Sequence, residues 1–359
     1  MMNEKIAALA LNAAKGLNQA DLKQFLSRIG SLSHVAGAQF DELVHMGCDL
    51  KAAGILSSLD LKAAEREVVA AEKEGISIVP LFSEAYPAAL REIGDPPLCL
   101  YVLGQLASLA KLSIAIVGAR KATRQGEDMA LKLGRELAEH DFPVISGLAY
   151  GIDIAAHRGA LDAKGETVAV LGSGLLKIYP ANHKRYIETI CEKGCVISEF
   201  PPSEAPLTYN FPKRNRVISG LSAGVVIIEA SFRSGSLITC RLALEQGRDV
   251  FAVPTSPLSP NTMTNTLIKN GAHMVESWLD IAEQYAHLKP LETGEAKKKK
   301  LPEDEKTRVV YKELERGEAG IDSIIAATGL DYNAVTTSLA LLELSGYIEQ
   351  SNGRYRILL

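Results

Sequence analysis

Residues 211–216, Phe-Pro-Lys-Arg-Asn-Arg, set one aromatic ring beside three cations and an amide. An aromatic face stacks a nucleobase and guanidinium or ammonium groups neutralise phosphates, so this grouping predicts a surface for single-stranded nucleic acid. Phe211 is the candidate stacking ring, Lys213, Arg214 and Arg216 are candidate phosphate contacts, and Asn215 adds a polar one. Four further segments are rich in small and polar residues: Gly118 to Thr123, Ser146 to Gly151, Gly172-Ser173-Gly174, and Ser231 to Ser236. Glycines in such loops let backbone N–H groups approach an anion, and the planar fork of Arg120 suits a phosphate. Gly118, Ala119, Arg120, Thr123, Gly147, Ser234 and Gly235 therefore join the 211–216 cluster as candidate site residues.

Catalytic chemistry has less support. Gly172-Ser173-Gly174 is followed by Leu175, Leu176 and Lys177, so the dinucleotide fingerprint is incomplete, and there is no GxxxxGK[ST] phosphate loop. His157 and His183 have no metal-ligating partner at a suitable spacing and read as packing histidines. Glu199 and Glu229 follow apolar runs and serve either as general acids or bases or as anchors for loop amides. The cysteines at 48, 99, 191, 195 and 240 form no CxxC pair, which predicts buried free thiols rather than a zinc site or disulfides. No metal or cofactor is expected.

The elements that must position these residues alternate as in a doubly wound sheet. Strands are predicted at 76–79, 113–117, 143–146, 167–171, 195–198, 224–229, 249–253 and 273–275, with the Asp95-Pro96-Pro97 turn leading into Leu98–Leu103. Helices are predicted near 125–140, 153–163, 182–193, 213–221, 236–247, 264–270 and 277–286. In such a sheet the loops at the carboxyl ends of the strands line one crevice, which gathers the candidate segments into a single site. Residues 1–68 read as a small helical domain of the SAM or helix-hairpin-helix kind, with helices at 6–14 and 18–28 and another from about 40. The sheet domain spans 69–287, and 288–304, with four lysines at 297–300, reads as a tether. Residues 305–359 give three helices and a hairpin around Ser351-Asn352-Gly353, a winged-helix pattern.

Net charge is −4, so any nucleic-acid contact must be a local patch. Residues 111–290 carry 20 basic and 18 acidic side chains, whereas 301–359 carry 6 and 10. The third winged-helix helix, 332–344, has no Lys or Arg, which favours a protein partner over the DNA groove for that domain. No apolar run is long enough to span a membrane, and the N-terminus lacks a signal-peptide pattern, so a cytoplasmic protein is expected.

Over roughly residues 76–276 the chain resembles the DNA-processing protein A family, also called DprA or Smf. The resemblance is carried by IVGARKAT (116–123), ISGLAYGIDIAAHRGAL (145–161), VAVLGSGL with YPANH (168–175, 179–183), ISEFPP (197–202), FPKRNRVISGLS (211–222), EASFRSGSLIT (229–239) and NTLIKNGAH (265–273). It implies an extended Rossmann-like α/β domain that binds single-stranded DNA, forms a homodimer, protects incoming DNA and loads the RecA recombinase during natural transformation, without being an enzyme. It also implies a phosphate loop at Gly118, Ala119 and Arg120 and a stacking ring at Phe211. The chain departs from the family pattern at Ala119, Thr255 and Met263. The competing expectation is a nucleotide hydrolase of the phosphoribohydrolase type, which would carry a PGGxGT-like loop where this chain has Glu229 to Gly235.

Overall fold

The computed structural model describes residues 3–14, 16–17, 19–232, 234–259, 261–286, 304–314, 317, 319–344, 347–351 and 353–357. They fall into two compact units, Met1–Ile281 and Ala282–Leu359.

The first unit begins with helices α1 (Glu4–Ala13), α2 (Gln19–Ile29), α3 (Leu32–Gly37), α4 (Phe40–His45), α5 (Leu50–Leu56) and α6 (Leu61–Lys73). The short α3 and α5 are nucleated by side-chain caps: Ser31 accepts from the His34 N–H and Asp49 from the Ala52 N–H. Both were missed by a reading that relied on apolar periodicity, as was α6, which runs straight across position 68.

Then come β1 (Ser77–Pro80), α7 (Ala88–Arg91), β2 (Cys99–Gly104), β3 (Ile114–Val117), α8 (Arg124–Glu139), β4 (Val144–Ser146), α9 (Ile152–Asp162), β5 (Thr167–Val170), α10 (Ile187–Lys193) and β6 (Cys195–Ser198). The unit continues with α11 (Asn210–Leu221), β7 (Gly224–Ile227), α12 (Ser236–Glu245), β8 (Asp249–Ala252), α13 (Met263–Lys269), β9 (His273–Met274) and α14 (Trp278–Ala282). The strands form one sheet in the order β1-β2-β6-β5-β4-β3-β7-β8-β9. Neighbours pair in parallel from β6 to β9, while β2 pairs antiparallel with both β6 and β1. This is the extended, mostly parallel α/β sheet that the alternating pattern predicts. Its central strands are buried on both faces, as Ile114 to Val117 and Val225 to Ile227 show, which is why they read as continuous apolar runs. Ala130, Leu133 and Leu137 form the fully buried stripe of α8, as expected.

Strand order fixes where a ligand can enter. From β3 the chain builds outward through β4, β5 and β6, then returns to the other side of β3 as β7, β8 and β9. The order therefore reverses between β3 and β7, and the loops leaving these strands diverge there.

The second unit contains α15 (Glu305–Leu314), β10 (Ala319–Gly320), α16 (Ile321–Thr328), α17 (Tyr332–Leu344) and the antiparallel pair β11 (Ile348–Ser351) and β12 (Arg354–Ile357). Val310, Leu314, Ile324, Val335, Leu339, Leu342, Ile348 and Tyr355 give it its own apolar core. The winged-helix expectation is met. The tether read at 288–304, lysine run included, lies outside the described residues apart from Asp304. All five cysteines are free thiols. Among the described residues no helix is long and apolar enough to cross a membrane.

Candidate nucleic-acid interface

α11 begins at Asn210, three residues earlier than its sequence predicts. Pro212 marks a break when read along the chain, but it lies in the first turn, where a missing N–H costs no intrahelical bond. Phe211 and Lys213 are thereby drawn into the helix, and helical spacing sorts the cluster onto two faces. Phe211, Arg214, Asn215 and Ile218, at i, i+3, i+4 and i+7, line a cleft of about 630 Å³. Lys213 and Arg216 are turned elsewhere.

The expectation of three cations acting as one patch is therefore corrected. Arg216 is only 7% exposed; its Nη2 donates to Glu199 Oε2 at 2.6 Å and its Nε to Asp95 Oδ2 at 2.9 Å. Lys213 is half exposed, with its Nζ 3.6 Å from the same Glu199 Oε2 and 5.4 Å from the Phe200 ring centroid. Arg214 lines the cleft but is 4% exposed, and its Nη1 donates to the carbonyls of Gly147, at 2.9 Å, and of Val170. It thus fastens together the carboxyl ends of β4 and β5. Burial pushes its pKa down to about 10, against the opposing pull of Asp153, so it stays cationic at neutral pH.

Asp153, in the first turn of α9, is a cleft-lining residue that the sequence reading missed. It accepts from the N–H groups of Gly147, at 3.1 Å, and Ala149, at 3.4 Å. Burial raises its pKa, opposed by Arg214 and by these backbone donors. Gly147 proves to be a spacer rather than a wall of the main cleft: a Cβ there would lie 2.7 Å from both Arg214 Nη2 and Asp153 Oδ2. The signal available in sequence was an acidic residue just inside a helix that follows a glycine-rich loop.

Opposite α11, the loop after β3 brings Gly118, Ala119, Arg120 and Lys121 to the cleft. Arg120 is exposed, with its guanidinium carbon 5.4 Å from the Phe211 ring centroid. Thr123 does not reach the cleft. It caps α8 by accepting from the Gly126 N–H, and its own hydroxyl donates to Glu229 Oε1 at 2.5 Å. Glu229 Oε2 accepts from the Thr123 N–H and from Asn261 Nδ2, both at 2.9 Å. This fully engaged carboxylate ties the Arg120 loop to the ends of β7 and β8; it is an anchor, not a free general base. Glu199 gives its Oε2 to Arg216, while its buried Oε1 has no hydrogen-bond partner among the described residues.

Ser234 and Gly235 close the third side of the cleft. The Gly235 carbonyl accepts from Asn215 Nδ2 at 3.4 Å, which joins this loop to α11. Lys121, within the expected Gly118–Thr123 segment, also lines the cleft, as do Asn261 and Tyr179, which were not expected there. The histidines pack as predicted. His157 Nδ1 lies 2.7 Å from Thr167 Oγ1 and burial pushes its pKa down to about 3, while His183 Nδ1 lies 2.8 Å from the Leu148 carbonyl oxygen.

The arrangement is a cleft at the switch point with Arg120 and Lys121 as its solvent-facing cations, Arg214 as a buried positive floor, and aromatic rings on its wall. Residues 77–286 match the family model for DNA recombination-mediator protein A, and 294–354 match the DprA winged helix domain. Protein Smf of Escherichia coli is 35% identical, the match covering 97% of this chain and 94% of that protein. The X-ray structure of DNA processing protein A from Streptococcus pneumoniae superposes with a TM-score of 0.68 at 35% identity, covering 79% of this chain and 98% of that one. DNA processing protein A from Helicobacter pylori, whose structure describes a single-stranded DNA binding mode, gives 0.54 at 31% identity, covering 59% and 96%. With both family models matched and a relative 35% identical along nearly its whole length, the chain belongs to the DNA recombination-mediator protein A family.

Proposed function

We propose that this chain binds single-stranded DNA in the switch-point cleft and acts there as a recombination mediator. The observation that carries the reading is the convergence of Arg120, from the loop after β3, with Phe211, from the first turn of α11. A phosphate beside Arg120 and a base against the aromatic wall are held by charge and by stacking, neither of which reads sequence. The single-stranded DNA binding described for the Helicobacter pylori relative supports the same ligand. The family resemblance extends the proposal to a homodimer that protects incoming DNA and delivers it to a RecA recombinase during natural transformation. Under this reading the site residues are Gly118, Ala119, Arg120, Phe211, Asn215, Ser234 and Gly235, with Arg214 as the cleft floor.

Binding of an oligothymidine across a salt series tests this. Arg120→Ala should weaken binding and reduce the slope of log affinity against log salt by about 0.7, the loss of one phosphate contact on a single strand. Phe211→Ala should cost about 1–3 kcal/mol. Parental affinity in both variants would sink the proposal.

A further inference from the structure

The aromatic wall of the cleft does not end at Phe211. Tyr179, in the segment between β5 and α10, has its ring centroid 5.7 Å from that of Phe211 at an interplanar angle of 59°. Both rings line the main cleft, and both line the adjoining recess that Arg120, Gly147, Ala149, Tyr150 and Pro180 complete.

The two rings differ in how much of them is available. Phe211 is partly enclosed: a Cβ at Gly172 would lie 2.7 Å from its Cδ1, so one ring edge rests on backbone, and Arg120 and Arg214 stand 5.4 and 6.0 Å from its centroid. Tyr179 is 43% exposed although its neighbour Pro180 is buried. The more open aromatic face in the cleft is thus the tyrosine, on a backbone anchored beside it.

We propose that Tyr179 is a second base-stacking platform, taking the nucleobase next to the one on Phe211. This rests on the reading of the cleft as a single-strand site. Rings inclined at 59° cannot belong to one continuous stack, and their 5.7 Å separation exceeds the ~3.4 Å axial step of a stacked strand. Neighbouring bases occupy the two rings only when splayed apart, with the intervening backbone at Arg120. A duplex, whose bases stay stacked and paired, cannot make that step, so the ring pair selects for single strands as well as holding them.

The test is equilibrium binding of fluorescein-labelled oligothymidine to the full chain, with Tyr179→Ala, Tyr179→Phe and Arg120→Ala compared with the parent. A second strand of the same length, abasic throughout, serves as the control. Tyr179→Ala should lose about 5- to 100-fold in affinity for oligothymidine, with an unchanged salt slope because no phosphate contact is removed. On the abasic strand it should equal the parent, and Tyr179→Phe should stay within about twofold on both. Parental affinity of Tyr179→Ala for oligothymidine, beside a weakened Arg120→Ala, would overturn the stacking role and leave the site standing. Equal weakening of Tyr179→Ala on both strands would overturn it in favour of a packing role. An unweakened Arg120→Ala would instead remove the site itself.

Discussion

Charge count is a poor guide to which cations meet a ligand, and α11 shows why. Of its three basic residues, Arg214 and Arg216 spend their donors on backbone carbonyls and buried carboxylates, and only Lys213 has its head group half in solvent. Replacing Arg214 by Leu leaves Asp153 buried without its facing charge, and a loss of about 3 kcal/mol or more in urea unfolding is expected. Lys213→Ala should leave stability within about 0.5 kcal/mol, so any change in DNA affinity there reports contact rather than folding. Glu229→Ala should lower stability by about 1–3 kcal/mol, since the partly buried Thr123 N–H and the buried Asn261 amide lose their acceptor. It should also weaken DNA binding without touching DNA, because the Arg120 loop loses its anchor. Arg120, Phe211, Gly118 and Gly235 were legible as candidate residues of one cleft because cations, rings and glycines announce themselves by type. The fastening role of Arg214 and its facing of Asp153 were not, because they join residues 44 to 67 positions apart; for Glu229 the sequence left anchor and general base both open, and its bonds to Thr123 and Asn261 favour the anchor.

At the scale of elements, strands were readable almost to the residue because two-sided burial demands unbroken apolar runs. The start of α11 was misplaced, since proline looks like a break unless its first-turn position is known. That displacement mattered: it hid the i, i+3, i+4, i+7 face that separates Arg214 from Arg216. The second face of α11 connects to the N-terminal helices. Lys23 of α2 and Arg216 of α11 both donate to Asp95, in the turn before β2. Burial by itself would raise the Asp95 pKa; the charges of Arg216 and Lys23 outweigh it and hold the carboxyl below the ordinary Asp value. A carboxyl whose pKa is lower folded than unfolded contributes stability above the unfolded value, and that contribution is lost as pH falls through the folded one. Asp95→Asn should therefore melt a few degrees below the parent at pH 7, and the gap should persist to about pH 4 and narrow below it. A gap that widened in acid would contradict this account of the junction.

For the whole molecule, the strand order concentrates the chemistry at one place while the second unit keeps its own core. α17, the helix that would enter a DNA groove in a winged-helix reader, carries no Lys or Arg, and a protein-binding role is proposed for this unit. Removing residues 288–359 should then change oligothymidine affinity by no more than about twofold, whereas a loss of tenfold or more would place DNA contacts on the winged helix or on the lysine run. The central claim is that a single strand lies across the switch point between β3 and β7. A crystal structure of the full chain with a short oligothymidine tests it most directly. The account predicts a phosphate on Arg120 and a base against Phe211; a strand bound on another face, with the cleft empty, would contradict it.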